Sequence, residues 1–169
     1  MIIHKRTRVK DISLLIPKHR MEDFIKSFPP YPLKTPILSM TVGQFAELTL
    51  DEDSFINDIL RPNERAYIAF GRLNQYGIEM KALADYLKKM QINLSHEEQA
   101  ASRGVDMPSF VERMLLDTVK FFHLHSMSEA EKIPLSDYLV VLKDEIATAK
   151  YQRNYSKILE QKNKAHRKK

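Results

Sequence analysis

Residues 109–124 read Ser-Phe-Val-Glu-Arg-Met-Leu-Leu-Asp-Thr-Val-Lys-Phe-Phe-His-Leu. Residues 135–160 read Leu-Ser-Asp-Tyr-Leu-Val-Val-Leu-Lys-Asp-Glu-Ile-Ala-Thr-Ala-Lys-Tyr-Gln-Arg-Asn-Tyr-Ser-Lys-Ile-Leu-Glu. These two stretches decide the fold. In the first, Val111, Leu115, Val119 and Phe122 recur at helical spacing, and Phe110, Met114, Phe121 and Leu124 widen the stripe. A helix apolar on more than one side belongs at the centre of a domain. In the second, Leu135, Tyr138, Leu139, Leu142, Ile146 and Ala149 form one stripe, and Asp137 sits near the N-terminus, where the helix dipole favours an acid. Past Lys150 the apolar positions thin to Tyr151, Tyr155, Ile158 and Leu159, and the polar face turns basic. The reading is two long helices, Ser109–Leu124 and Leu135–Glu160, joined by a turn over His125–Pro134. The polar Gln161–Lys169 is expected to fray.

Upstream of this pair the signals are shorter. Thr41 is placed to cap a helix carrying Val42, Phe45, Ala46 and Leu48 on one side. A second short helix is expected within Thr49–Leu60, with acids in its first turn. Pro62 suits the first position of a third helix, running to about Tyr76 with a break at Gly77, after which Met80, Leu83, Tyr86, Leu87 and Met90 resume the period. Ser95-His-Glu-Glu98 has the form of a capping box. Residues 29–36 hold four prolines, which fix φ and extend their predecessors, so 29–40 is read as a stiff linker. It separates an N-terminal arm, 1–28, from a helical domain, 41–149, and a basic helix and tail, 150–169. The arm is read as extended or as a short edge strand, from its mix of basic and β-branched residues. The fold class is mainly α: a compact helical bundle with an extended arm and a long basic C-terminal helix.

Composition agrees. Four glycines among 169 residues leave few sites for tight hairpins, and eight methionines supply adaptable apolar surface. Without cysteine there is neither a disulfide nor a thiolate metal site. No apolar run reaches the ~18 residues of a membrane span, and no signal-peptide pattern opens the chain, so the expected compartment is the cytoplasm. The charge is split. Residues 1–20 carry six Lys/Arg against Asp11, residues 150–169 carry eight against Glu160, and the body between is acidic, 13 basic residues against 20. Basic ends on an acidic body suggest appended interaction segments, contacting acidic protein surfaces or nucleic acid. The candidate contact residues are Lys5, Arg6, Arg8 and Lys10 at one end, and Lys150, Arg153, Lys157, Lys162, Lys164, Arg167, Lys168 and Lys169 at the other.

The patterns that would carry chemistry fail one by one. His123 and His125 are two residues apart and point to different sides of a helix, so they do not share a metal. Asp51, Asp53 and Asn57 lack the central glycine and distal glutamate of a calcium loop. Ser126 and Ser128 lie near His123, His125 and Asp117 but have no strained elbow or glycine-built oxyanion hole. Gly43, Gly71, Gly77 and Gly104 are isolated, so no phosphate loop forms. No catalytic, cofactor or metal residues are assigned, and the chain is read as non-enzymatic.

Two stretches carry resemblances. Gln99-Ala-Ala-Ser-Arg-Gly-Val-Asp-Met-Pro-Ser-Phe110 resembles the Ala-x-x-x-Gly-Val step of helix-turn-helix proteins, which would send Ser109–Leu116 into a major groove. Gln99, Arg103 and Arg113 depart from that pattern, and Val111, Leu115 and Leu116 make the reading helix apolar, which favours a buried helix corner. Phe121-Phe-His-Leu-His-Ser-Met-Ser-Glu-Ala-Glu-Lys-Ile-Pro-Leu-Ser-Asp-Tyr-Leu139 resembles small helical bacteriophage morphogenesis proteins of the tail-assembly-chaperone type. That resemblance implies an assembly or structural role, in host cytoplasm or virion, through contacts with other protein subunits in an oligomer. Nucleic-acid binding by the basic C-terminal helix is the alternative. Neither reading involves a membrane.

Overall fold

The computed structural model describes residues 20–61, 64–90 and 108–166. It is mainly α, with seven α-helices among the described residues: α1 Met21–Lys26, α2 Val42–Leu50, α3 Glu52–Phe55, α4 Ala66–Met90, α5 Phe110–Phe121, α6 Met127–Ala130 and α7 Leu135–His166. A 3-10 turn, Ile37–Ser39, precedes α2, and a π-helical turn, Ile56–Leu60, follows α3. The N-terminal arm before Arg20, the expected start at Pro62, the capping box at Ser95 and most of the helix-turn-helix stretch lie outside the described residues.

Local chemistry starts the helices where it supplies partners for orphan N–H groups. Thr41 and Gln44 form a reciprocal capping box on α2, as Ser109 and Glu112 do on α5. Asp51 accepts from the Ser54 backbone and hydroxyl and so caps α3. Ser126 caps α6, which makes the His125–Pro134 connection a helical turn instead of a plain loop.

One helix boundary is corrected. The break expected at Gly77 does not occur; α4 is continuous over 25 residues. A glycine costs a helix about 1 kcal/mol relative to alanine, and burial of Ala66, Ala69, Phe70 and Leu83 on either side outweighs that. At the C-terminus α7 runs beyond Glu160 to His166, through good helix formers with neither glycine nor proline.

The proline-rich stretch lies against the body. Leu33 is buried, Ile37 is 1% exposed, and both join the main core with Met40, Phe45, Val111, Met114, Leu135 and Tyr138. Tyr31 donates its N–H to the Gly71 carbonyl at 3.0 Å, and Ile37 donates to Glu79 Oε2 at 2.7 Å. A second cluster joins Phe24, Ile25 and Phe28 to Ala66, Ala69 and Phe70. Within it Phe24 and Phe70 meet edge-on at 5.1 Å, and Phe28 stacks on Phe70 at 5.2 Å. So residues 21–28, assigned above to the arm, are packed on α4.

The start of α2 and the start of α7, far apart in sequence, are tied at one seam. Val42 N–H donates to Ile133 O at 2.8 Å, Gly43 N–H to Glu131 O at 3.0 Å, and Leu135 N–H to Met40 O at 2.9 Å. Gly43 is required there, because a Cβ would stand 2.7 Å from the Cβ of Glu131.

Candidate functional surface

Helix α7 carries all five candidate contact residues that fall within the described residues. Its first three turns are bound to the body: Leu135, Tyr138 and Leu139 are buried, and Leu142 and Ile146 are half-buried. From Ala147 to His166 the helix continues for roughly 30 Å at 1.5 Å per residue, and nearly every side chain described there is exposed. Its length past the body follows from sequence, since no turn residue stops it and the polar residues need no cover.

The apolar positions of the outer half do not continue the inner stripe. With 3.6 residues per turn, Tyr151, Tyr155 and Ile158 lie about half a turn away from the Leu135–Leu139–Leu142–Ile146 face. They are 69%, 52% and 50% exposed, and the Tyr151 and Tyr155 rings stack at 6.2 Å. The same outward side carries Val140, 67% exposed, back over the body. There Val140 forms one rim of an apolar groove of about 520 Å³, whose walls are Pro36 and Leu38, Ala82, Leu83 and Tyr86 of α4, and Ser136 and Leu139 of α7. The exposed Leu38 and Tyr86 leave its mouth apolar, with Glu79 at its edge. Glu79 is held in place by accepting from Ile37 N–H and from Gln75 Nε2.

The predicted contact residues divide. Lys5, Arg6, Arg8, Lys10, Arg167, Lys168 and Lys169 lie outside the described residues. Lys150, Arg153, Lys157 and Lys164 recur along one side of α7, and this side continues the inner core stripe past the body. Lys162 stands apart from them, on the aromatic side. Lys162 apart, the aromatic and cationic faces of the distal helix are thus separate.

The polar groups weighed for chemistry have local structural work. The Ser126 hydroxyl caps α6, and His125 N–H donates to Glu129 Oε2 at 2.9 Å. His123 adopts φ 51°, a left-handed residue just past the end of α5. Among the described residues no group of three or more His, Asp or Glu converges on a point, and no helix is long and apolar enough to cross a membrane. In α5, Val111 and Met114 turn into the core, with Thr118 completely buried and its hydroxyl donating to Met114 O at 2.7 Å. That face belongs to the core, so it is closed to a DNA groove.

Sequence reasoning missed the groove. Its walls come from the 3-10 turn, α4 and α7, and no local pattern records their meeting. The outward stripe was legible in principle, had residues 140–158 been placed on a wheel with the proximal half as reference. Comparison with protein-family models, with characterised proteins and with solved structures finds no match for this chain.

Proposed function

We propose that the chain is a non-enzymatic assembly protein that works through protein–protein contacts, with α7 and the groove at its base as the contact surface. The observation that carries this reading is the half-turn switch of α7. A helix that buries one face against its own body and then presents the opposite, aromatic face to solvent is built to meet another surface. Tyrosine supplies large contact area at low entropic cost, and exposed apolar patches of this kind mark interaction sites. The Phe121–Leu139 resemblance suggests virion morphogenesis as the setting.

Light scattering tests it. The purified chain, alone and mixed with the products of adjacent genes, is expected to form a species larger than a monomer. A strict monomer that binds none of them overturns the reading.

The cation row Lys150, Arg153, Lys157 and Lys164 supports a second reading, in which the distal helix lies along a phosphate backbone without reading sequence. It predicts affinity for generic duplex DNA that falls steeply with salt. An absence of binding at ~50 mM salt sinks it.

A further inference from the structure

We infer that the outward face of α7 pairs antiparallel with the same face of a second copy of this chain, each copy's distal helix ending in the other's groove. The inference rests on the assembly reading above and names the partner.

The first argument is the pattern on that face. Val140, Asp144, Ala147, Tyr151, Asn154 and Ile158 follow one another at steps of four, three, four, three and four residues, the spacing of a two-helix seam. The pattern is symmetric about Ala149. Antiparallel pairing centred there sets Val140 against Ile158 of the second copy, Asp144 against its Asn154, and Ala147 against its Tyr151. Each pair is then made twice, as a two-fold interface requires. The small Ala147 leaves room for the large Tyr151, and the branched Ile158 arrives at the groove between Val140, Leu38 and Tyr86.

Charge selects the direction. Residues 135–149 hold Asp137, Asp144 and Glu145 against Lys143, while 150–166 hold five Lys/Arg against Glu160. Parallel pairing lays the two basic halves together. The antiparallel arrangement runs each basic half alongside the other's acidic half, with Lys150, Arg153, Lys157 and Lys164 turned away from the seam and acting only at longer range, and it opposes the helix dipoles. Beside the seam, Asp137 meets Lys162 of the second copy, the one cation of 150–166 on the aromatic side.

The absence of native cysteine permits a direct test on the full chain. Single variants Val140→Cys and Ile158→Cys, both at exposed sites, are mixed and oxidised. The expected product is a disulfide-linked dimer from the mixture and little from either variant alone, since the two positions lie roughly 27 Å apart on one helix. Sedimentation equilibrium should show a dimer for the unmodified chain, weakened at least about tenfold by Tyr151→Glu with Ile158→Glu. Circular dichroism should report those variants folded. Cross-linking of either single variant with itself, or a monomer at all accessible concentrations, overturns the pairing. If the chain is monomeric yet joins a neighbouring gene product, only this inference fails and the assembly reading stands. Retention of the unmodified chain on DNA as a monomer overturns both.

Discussion

Arg72 of α4 and Glu64, eight residues earlier, form a forked ion pair that locks the corner between the π-helical turn and α4. Nη2 reaches Oε1 at 2.6 Å, while Nη1 binds Oε2 and reaches the Ile59 carbonyl at 3.5 Å. The guanidinium side chain is 7% exposed and its Cζ lies 5.8 Å over the Tyr31 ring. Glu64 is the carboxylate on it among the described residues. Removing the carboxylate strands a buried cation, which is costlier than removing both groups. Glu64→Gln is expected to lower stability by about 2–3 kcal/mol, read as a fall in the urea midpoint. Glu64→Gln combined with Arg72→Met should recover part of that loss. Arg72→Lys should not preserve the corner, because an ammonium cannot reproduce the fork.

Three glycines should respond in opposite directions. At Gly71 an added Cβ meets Pro29 O at 2.8 Å and Tyr31 Cβ at 2.9 Å, and at Gly43 it meets the backbone and Cβ of Glu131. Alanine at either site is expected to cost about 1–3 kcal/mol through overpacking. Around Gly77 nothing lies within 4 Å. Gly77→Ala should therefore stabilise by up to about 1 kcal/mol, the helix propensity gain alone. Thermal melts of the three variants check the order.

Tyr138 links stability to alkaline pH. It is 2% exposed and stacks at 6.4 Å on Phe121. Burial, helped by the charge of Asp117 and opposed by that of Arg113, pushes its phenol up to about 12. The unfolded chain then loses this proton near pH 10 while the folded chain keeps it. Stability is flat below pH 10 and falls between pH 10 and 12, by roughly 2–3 kcal/mol for this group. Tyr138→Phe should lack that component, seen as a shallower alkaline loss in urea titrations.

Shortening α7 should spare the body. Beyond Ala149 the described side chains are mostly exposed, so a chain ending there is expected to unfold within about 1 kcal/mol of the full chain. Replacing Thr41, whose hydroxyl caps α2 at the seam, should cost more: about 1–2 kcal/mol for Thr41→Ala. Chemical denaturation of the two variants side by side decides it.

The helices were legible because their periods are strong: α5, α7 and the Thr41 cap could be placed from residues alone. What was not legible came from contacts between distant segments. The stretch 29–40 was read as a linker, yet its Leu33 and Ile37 fill a core whose other walls lie up to a hundred residues away. Thr118, a polar residue outside the apolar stripe, is completely buried, since its hydroxyl is satisfied within its own helix. Gly77 read as a break because local propensity opposed the packing that overrides it. For the site, the sequence reading proposed Lys150, Arg153, Lys157, Lys162 and Lys164 as contact residues but did not assign them to a face of the helix, and the groove has no local signature.

The seam between Met40 and Leu135 has a mechanical consequence. Any load applied to the distal part of α7 passes down a continuous rod to its first turn. There the Leu135 N–H is anchored on Met40, and the neighbouring Ile133 and Glu131 carbonyls hold the start of α2. A pull on the projecting end thus reaches the centre of the body, not a peripheral hinge. A surface that grips the rod would then also fix the orientation of the body.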